Sequence, residues 1–111
     1  PTQRVPHVLG TSGSITAILF AYPLLSPPPH DHNNKILWVS RVATKPSSDL
    51  LIAAKRMTGT RRVGSPVGRR VPGGPGPSLI NLPSPGCWRL TLRWSGHVDR
   101  LDLQYATNRS R

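Results

Sequence analysis

The sharpest pattern lies near the C-terminal end, where Trp88, Leu90, Leu92 and Trp94 alternate with Arg89, Thr91 and Arg93. A period of two sends successive side chains to opposite faces of a β-strand. The segment therefore predicts a strand with one face in a core and the other in water. Ser95-Gly96 reads as a two-residue hairpin turn. The chain returns through 98–105, with Leu101, Leu103 and Tyr105 facing inward and Asp102 and Gln104 outward. Val98 falls off that register, which predicts a bulge beside the turn. On the outer face, Arg89 and Arg93 are placed to pair with Asp102 or Asp99, worth less than about 1 kcal/mol per exposed pair.

Upstream the pattern is weaker but consistent. Residues 1–13 read as an irregular arm. Residues 14–22, SITAILFAY, are too continuously apolar for a half-exposed strand and predict a central one covered on both faces. Pro23 and the run Pro27-Pro28-Pro29 end it, and 26–34 reads as an extended polar loop. In 35–42, Ile36, Trp38 and Ser40 alternate against Leu37, Val39 and Arg41, predicting a second strand; 50–55 predicts a third. Residues 61–71 hold a near-repeat, RRVG–SPVG–RRV, with Val63, Val67 and Val71 four apart. Gly64, Pro66 and Gly68 spoil a helix, leaving one or two short edge strands whose charges and prolines block aggregation. From Gly59 to Gly86, 13 of 28 residues are Gly or Pro, which predicts the least ordered region, with a short strand at 78–82 inside it.

About seven short strands separated by turn signals predict an all-β fold, an immunoglobulin-like two-sheet sandwich with a Pro/Gly-rich loop region. One domain is expected over 14–106, followed by a frayed C-terminus at 107–111. The expected core comprises Trp38, Trp88, Leu90, Leu92, Trp94, Leu101, Leu103 and Tyr105.

Composition supports this class. A chain of 111 residues fits one domain burying roughly two thirds of its unfolded surface. The absence of Glu and the 13 Pro and 10 Gly argue against a helical bundle. The net charge of +11 favours polyanionic neighbours: nucleic acid, acidic lipid headgroups or anionic cell-wall polymers. A GC-rich genome would also give Arg over Lys with no Glu. The single cysteine, Cys87, allows no disulfide within the chain, which excludes a disulfide-stapled scaffold but leaves export open. The apolar run 15–25 is too short to span a bilayer, so no transmembrane segment is expected. Pro23 interrupts the run, and no small-residue cleavage motif follows it. Export would use a segment upstream of Pro1.

Candidate chemistry is sparse. His30 and His32 flank Asp31 in a loop, but a metal site needs three or four ligands, and loop polarity explains the motif more cheaply. Cys87 has no His beside it in sequence and reads as a structural thiol rather than a nucleophile. Asn33-Asn34-Lys35 before Trp38 offers a ligand grip at a loop rim, or asparagines that cap their own turn. Arg56, Arg61, Arg62, Arg69 and Arg70 form a cluster able to contact a polyanion through bidentate guanidinium groups, or a solvated edge. Gly73-Gly74-Pro75-Gly76-Pro77 lacks the ending of a phosphate loop. Gly10-Thr11-Ser12-Gly13 lacks the spacing of a nucleophile elbow. Asn108-Arg109-Ser110 fits a glycosylation sequon that is common by chance. With four acids in all, paired catalytic carboxylates are not expected, nor are enzyme activity or a cofactor.

Pro85-Gly86-Cys87-Trp88-Arg89-Leu90 resembles the start of strand F of immunoglobulin-like domains. Trp88 takes the inward aromatic place and Leu90 that of the usual bridge cysteine, so the resemblance implies no inter-sheet disulfide. Three blocks covering about half the chain, 13–23, 34–38 and 78–105, are similar to a family of uncharacterised exported or lipoprotein-like domains of Gram-positive, especially actinobacterial, bacteria. The resemblance implies an extracytoplasmic location, secreted or at the cell envelope. The expectation is a non-enzymatic binding or structural module whose cationic edge touches anionic envelope polymer, a lipid membrane surface or a protein partner. The main alternative is a basic nucleic-acid-binding protein within a ribonucleoprotein assembly; a weaker one is a metal-binding domain using His30 and His32.

Overall fold

The computed structural model describes residues 5–108. Two long strands, β8 (Gly86–Trp94) and β9 (His97–Thr107), form the hairpin predicted from alternation, paired in unbroken register from Gly86↔Tyr105 to Trp94↔His97. Ser95 and Gly96 make the turn with φ of 50° and 80°. Positive φ at both central positions matches the right-handed twist of the flanking strands. Trp88, Leu90, Leu92, Trp94, Leu101, Leu103 and Tyr105 are all buried, as is Trp38.

Seven further strands complete the molecule: β1 (His7–Leu9), β2 (Ile15–Leu19), β3 (Leu24–Ser26), β4 (Lys35–Ser40), β5 (Leu50–Thr58), β6 (Arg61–Val71) and β7 (Pro77–Leu79). They form a four-stranded sheet, β1-β2-β4-β7, and a five-stranded sheet, β3-β9-β8-β5-β6. All pairs are antiparallel except β3 with β9. The two sheets pack as a β-sandwich around one apolar cluster that draws Ile15, Ala17, Ile36 and Trp38 from one and Leu50, Ile52, Leu90 and Leu92 from the other. No helix of the described residues is long and apolar enough to cross a membrane.

Burying Trp and Tyr requires partners for their polar atoms. Trp94 Nε1 donates across the core to Ser40 Oγ (2.9 Å), and Tyr105 OH donates to the Ile80 carbonyl (2.6 Å). Trp38 Nε1 reaches Ser78 Oγ and Trp88 Nε1 the Ser84 carbonyl, both at 3.0 Å. These bonds fix each ring in one orientation.

Several expectations need correction. Within the stretch expected as an irregular arm, residues 7–9 pair with β2; residues 1–4 lie outside the described residues. The apolar run 15–25, expected to hold one strand over 14–22, enters two. β2 ends at Leu19, and after the turn at Pro23 the chain enters the other sheet as β3. β2 is covered on one face only, since Thr16 and Ile18 alternate with the buried residues and are half-exposed. Residues 59–86, expected as the least ordered part, contain the eleven-residue β6 and also β7. β9 extends to Thr107, and Asn108 N donates to the Ser26 carbonyl; of the stretch expected to fray, residues 109–111 lie outside the described ones.

The expected bulge at Val98 is absent. Val98 lies opposite Arg93 on the outer face, and the inner place next to it is taken by Asp99, only 2% exposed. Asp99 therefore makes no pair with Arg89 or Arg93. Its Oδ1 accepts from Ser12 N and Arg100 N, and its Oδ2 from Ser14 N, at 2.8–2.9 Å. Burial alone would raise its pKa. The backbone N–H groups of Ser12, Arg100, Ser14 and Ile15 outweigh that and leave it lowered.

Candidate polyanion-binding face

Alternation in the five-stranded sheet decides where each basic residue points. On β5 the even positions Leu50, Ile52 and Ala54 face the core, so Leu51, Ala53, Lys55 and Met57 face out. On β8 the outward set is Cys87, Arg89, Thr91 and Arg93, and on β9 it is Val98, Arg100, Asp102 and Gln104. The ladder aligns these into rows: Lys55–Arg89–Asp102, then Ala53–Thr91–Arg100, then Leu51–Arg93–Val98. From the edge strand β6, Arg62 lies opposite Met57 and Arg70 opposite Leu51, on the same side.

Six basic side chains thus share one face: Lys55, Arg62, Arg70, Arg89, Arg93 and Arg100. Two carboxylates meet them. Arg89 Nε and Nη2 donate to Asp102 Oδ1 and Oδ2 at 3.1 and 3.4 Å, a two-point contact across strands. That hydrogen bond raises the Arg89 pKa further, so its charge is permanent. Arg70 Nε lies 3.7 Å from Asp49. Among the described residues, Lys55, Arg62, Arg93 and Arg100 form no ion pair. Lys55 directly faces Arg89 across the ladder, a like-charge arrangement that costs stability.

The sequence-derived cluster is split by this geometry. Only Arg62 and Arg70 of its five members stand on the face. Arg56 lies on the inner side, opposite Trp88 at the end of the sandwich, where its Nε donates to the Pro85 carbonyl (3.0 Å). Arg69 is also on the inner side, opposite Ile52, and donates to the carbonyls of Asn81 and Gly68. Arg61 sits at the β5–β6 turn opposite Thr58. Lys55, Arg89, Arg93 and Arg100 were missing from the cluster because they come from three separate strands. The usable signal was strand parity, already clear for Arg89 and Arg93.

The other candidates are placed as follows. Asn34 is fully buried and braces β3: its Oδ1 accepts from Leu25 N, and its Nδ2 donates to Leu25 O and Asn81 Oδ1. Its side chain thus bonds β3 and Asn81 rather than capping its own turn. Lys35 Nζ lies 5.5 Å from the centre of the Phe20 ring, on the other sheet. His30 is exposed and His32 half-buried, and the described residues contain no group of three His, Cys, Asp or Glu able to hold a metal. Cys87 is half-buried on the outer face; burial, with Asp102 nearby, pushes its thiol pKa up and away from nucleophilic use. The turn at residues 10–13 serves Asp99, and Gly73 N donates to Asp49 Oδ1, so both glycine-rich stretches have structural partners. Of the sequon, Asn108 is described and residues 109–110 lie outside.

A basin of about 340 Å³ opens on the face, lined by Lys55, Met57, Thr60, Arg62, Arg89, Thr91 and Arg100. A second groove of about 570 Å³, on the far side of Arg89 and Arg100, is lined by Leu9, Thr11, Ser12 and Asp102 among others. No family model matches the chain, and no curated protein and no solved structure shows significant similarity to it.

Proposed function

We propose that this chain is a non-enzymatic, immunoglobulin-like binding module of the cell envelope that uses the outer face of its five-stranded sheet to hold an anionic polymer or lipid surface. What supports the immunoglobulin-like reading is the order β9-β8-β5-β6, which is compatible with the G-F-C order of that fold plus an added edge strand. The envelope location is carried over as an expectation from the sequence reading of residues 13–23, 34–38 and 78–105; no matched family or relative adds to it.

The observation that carries the binding role is the convergence of six basic side chains from four strands on one face against Asp49 and Asp102. Such a field raises the local concentration of polyanions and speeds their arrival. Base recognition is disfavoured. No Trp, Tyr or Phe of β5, β6, β8 or β9 faces outward, and single-stranded nucleic acid is held largely by stacking on such rings.

The test is binding of the full chain to inorganic polyphosphate and to phosphatidylglycerol vesicles as salt is raised from about 50 mM, where affinity should fall linearly on logarithmic axes. Arg70→Gln with Arg93→Gln should weaken binding more than Lys35→Gln with Arg41→Gln, which removes equal charge elsewhere. Equal losses from the two pairs, or no binding by the unaltered chain, would refute the proposed face.

A further inference from the structure

We propose that the basin between Lys55, Arg62, Arg89 and Arg100 is a phosphate seat, taking one phosphoryl group of a polyanion at a time. The inference rests on the cationic face described above and narrows it from a diffuse field to a built site.

Three observations lead there. First, the basin gathers four basic side chains and two threonines, Thr60 and Thr91, with no carboxylate in its lining. Adjacent strands lie about 4.8 Å apart, so Lys55 and Arg89 reach one ligand from neighbouring strands, with Arg62 and Arg100 flanking the basin from β6 and β9. A tetrahedral oxyanion offers acceptors in all those directions, whereas a planar carboxylate satisfies one guanidinium fork and leaves the rest unmatched. Second, Lys55 and Arg89 face each other directly, and Asp102 compensates only Arg89. An anion between them removes the repulsion, which gives the unfavourable pair a purpose. Third, Arg89 donates to Asp102 through Nε and Nη2, which fixes the plane of the guanidinium and leaves Nη1 for a ligand. Asp102 is therefore a positioning residue, outside the seat itself.

The shared chemistry is the phosphate oxyanion, whether it belongs to a soluble polymer or to a lipid headgroup. Affinities are measured by calorimetry for inorganic polyphosphate and for poly-glutamate of matched charge, and by sedimentation for phosphatidylglycerol vesicles. Lys55→Gln with Arg62→Gln should lower phosphate affinity about tenfold or more, as expected for losing charge-assisted hydrogen bonds. Arg70→Gln with Arg93→Gln removes the same charge from the same face outside the basin and should cost clearly less. The affected arm, polymer or vesicle, identifies the source of the phosphate. Thermal melts of both pairs confirm that each variant is folded.

Equal losses from the two pairs would overturn the seat while leaving the cationic face intact. So would poly-glutamate binding as tightly as polyphosphate. Loss of all polyanion binding in the unaltered chain would overturn both readings.

Discussion

The carboxylate of Asp99 occupies the space that a side chain at Gly10 would fill. A Cβ there would collide with the carboxylate, which is itself held by backbone amides of Ser12, Ser14 and Arg100. The β1–β2 turn and β9, almost ninety residues apart in sequence, are therefore locked by one acid and one missing methyl group. Gly10→Ala should destabilise the fold by about 1–3 kcal/mol, the range for overpacking a filled site. Asp99→Asn keeps one acceptor oxygen and should cost about 1.5–3 kcal/mol, the worth of a hydrogen bond to a charged group. Urea denaturation of each variant measures both; a change below about 0.5 kcal/mol would place the turn outside the cooperative unit.

The same carboxylate makes stability depend on pH. Its folded-state pKa is lowered, so it contributes stability that is fully present above its unfolded value of about 3.9. That contribution disappears as pH falls through this value toward the lower folded one. Between about pH 5 and pH 3 the unaltered chain should lose stability more steeply than Asp99→Asn, the difference being the proton bound by this group. Parallel curves for the two proteins would show that Asp99 is not the acid-sensitive element.

Asn34 gives a second buried-polar test. Its amide saturates both backbone groups of Leu25, and β3 is joined to the sheet only along β9, over three residues. Asn34→Leu leaves the Leu25 N–H and carbonyl without partners and should cost about 2–4 kcal/mol. Hydrogen exchange at Leu25 N should accelerate before that of β8, because β3 opens locally once its brace is gone.

What was legible in the sequence was whatever alternation alone determines. The β8–β9 hairpin obeyed strict parity, so its turn, its four inward residues on β8 and the Arg89–Asp102 pair were all readable. Asp99 was not, since polarity places an aspartate in water unless its amide partners are known, and these lie at Ser12 and Ser14. The run 15–25 hid a change of sheet because its apolar continuity outlasts β2 and resumes in β3. The cationic face was misread for a related reason. Arg56 and Arg69 are neighbours of Arg62 and Arg70 along the chain, but parity turns them inward onto carbonyls. Lys55, Arg89, Arg93 and Arg100 meet only after β5, β8 and β9 are laid side by side, and strand order is not written in any one segment.

Core and face should respond differently to truncation. Trp88 is 2% exposed and its indole N–H is satisfied, so Trp88→Ala should cost about 3–5 kcal/mol through the cavity it leaves. Arg62 is exposed and unpaired among the described residues, so Arg62→Ala should change stability by less than about 0.5 kcal/mol. Chemical denaturation of the two variants side by side decides this, and comparable losses would mean that the sheet is packed on its other face.

The opposition of Lys55 and Arg89 yields the last prediction, and its sign is unusual. Removing a charge from a surface normally leaves stability unchanged, but a like-charge cross-strand pair costs a few tenths of a kcal/mol, roughly up to 1. Lys55→Gln should therefore raise the denaturation midpoint at low ionic strength. At about 1 M salt the Debye length falls to about 3 Å, the repulsion is screened, and the gain should vanish. Polyphosphate should stabilise the unaltered chain more than Lys55→Gln, because a ligand that binds the folded state stabilises in proportion to its affinity. If Lys55→Gln is destabilising at low salt, Lys55 is held by an attraction rather than opposed by a repulsion, and the third row member, Asp102, must be serving both cations.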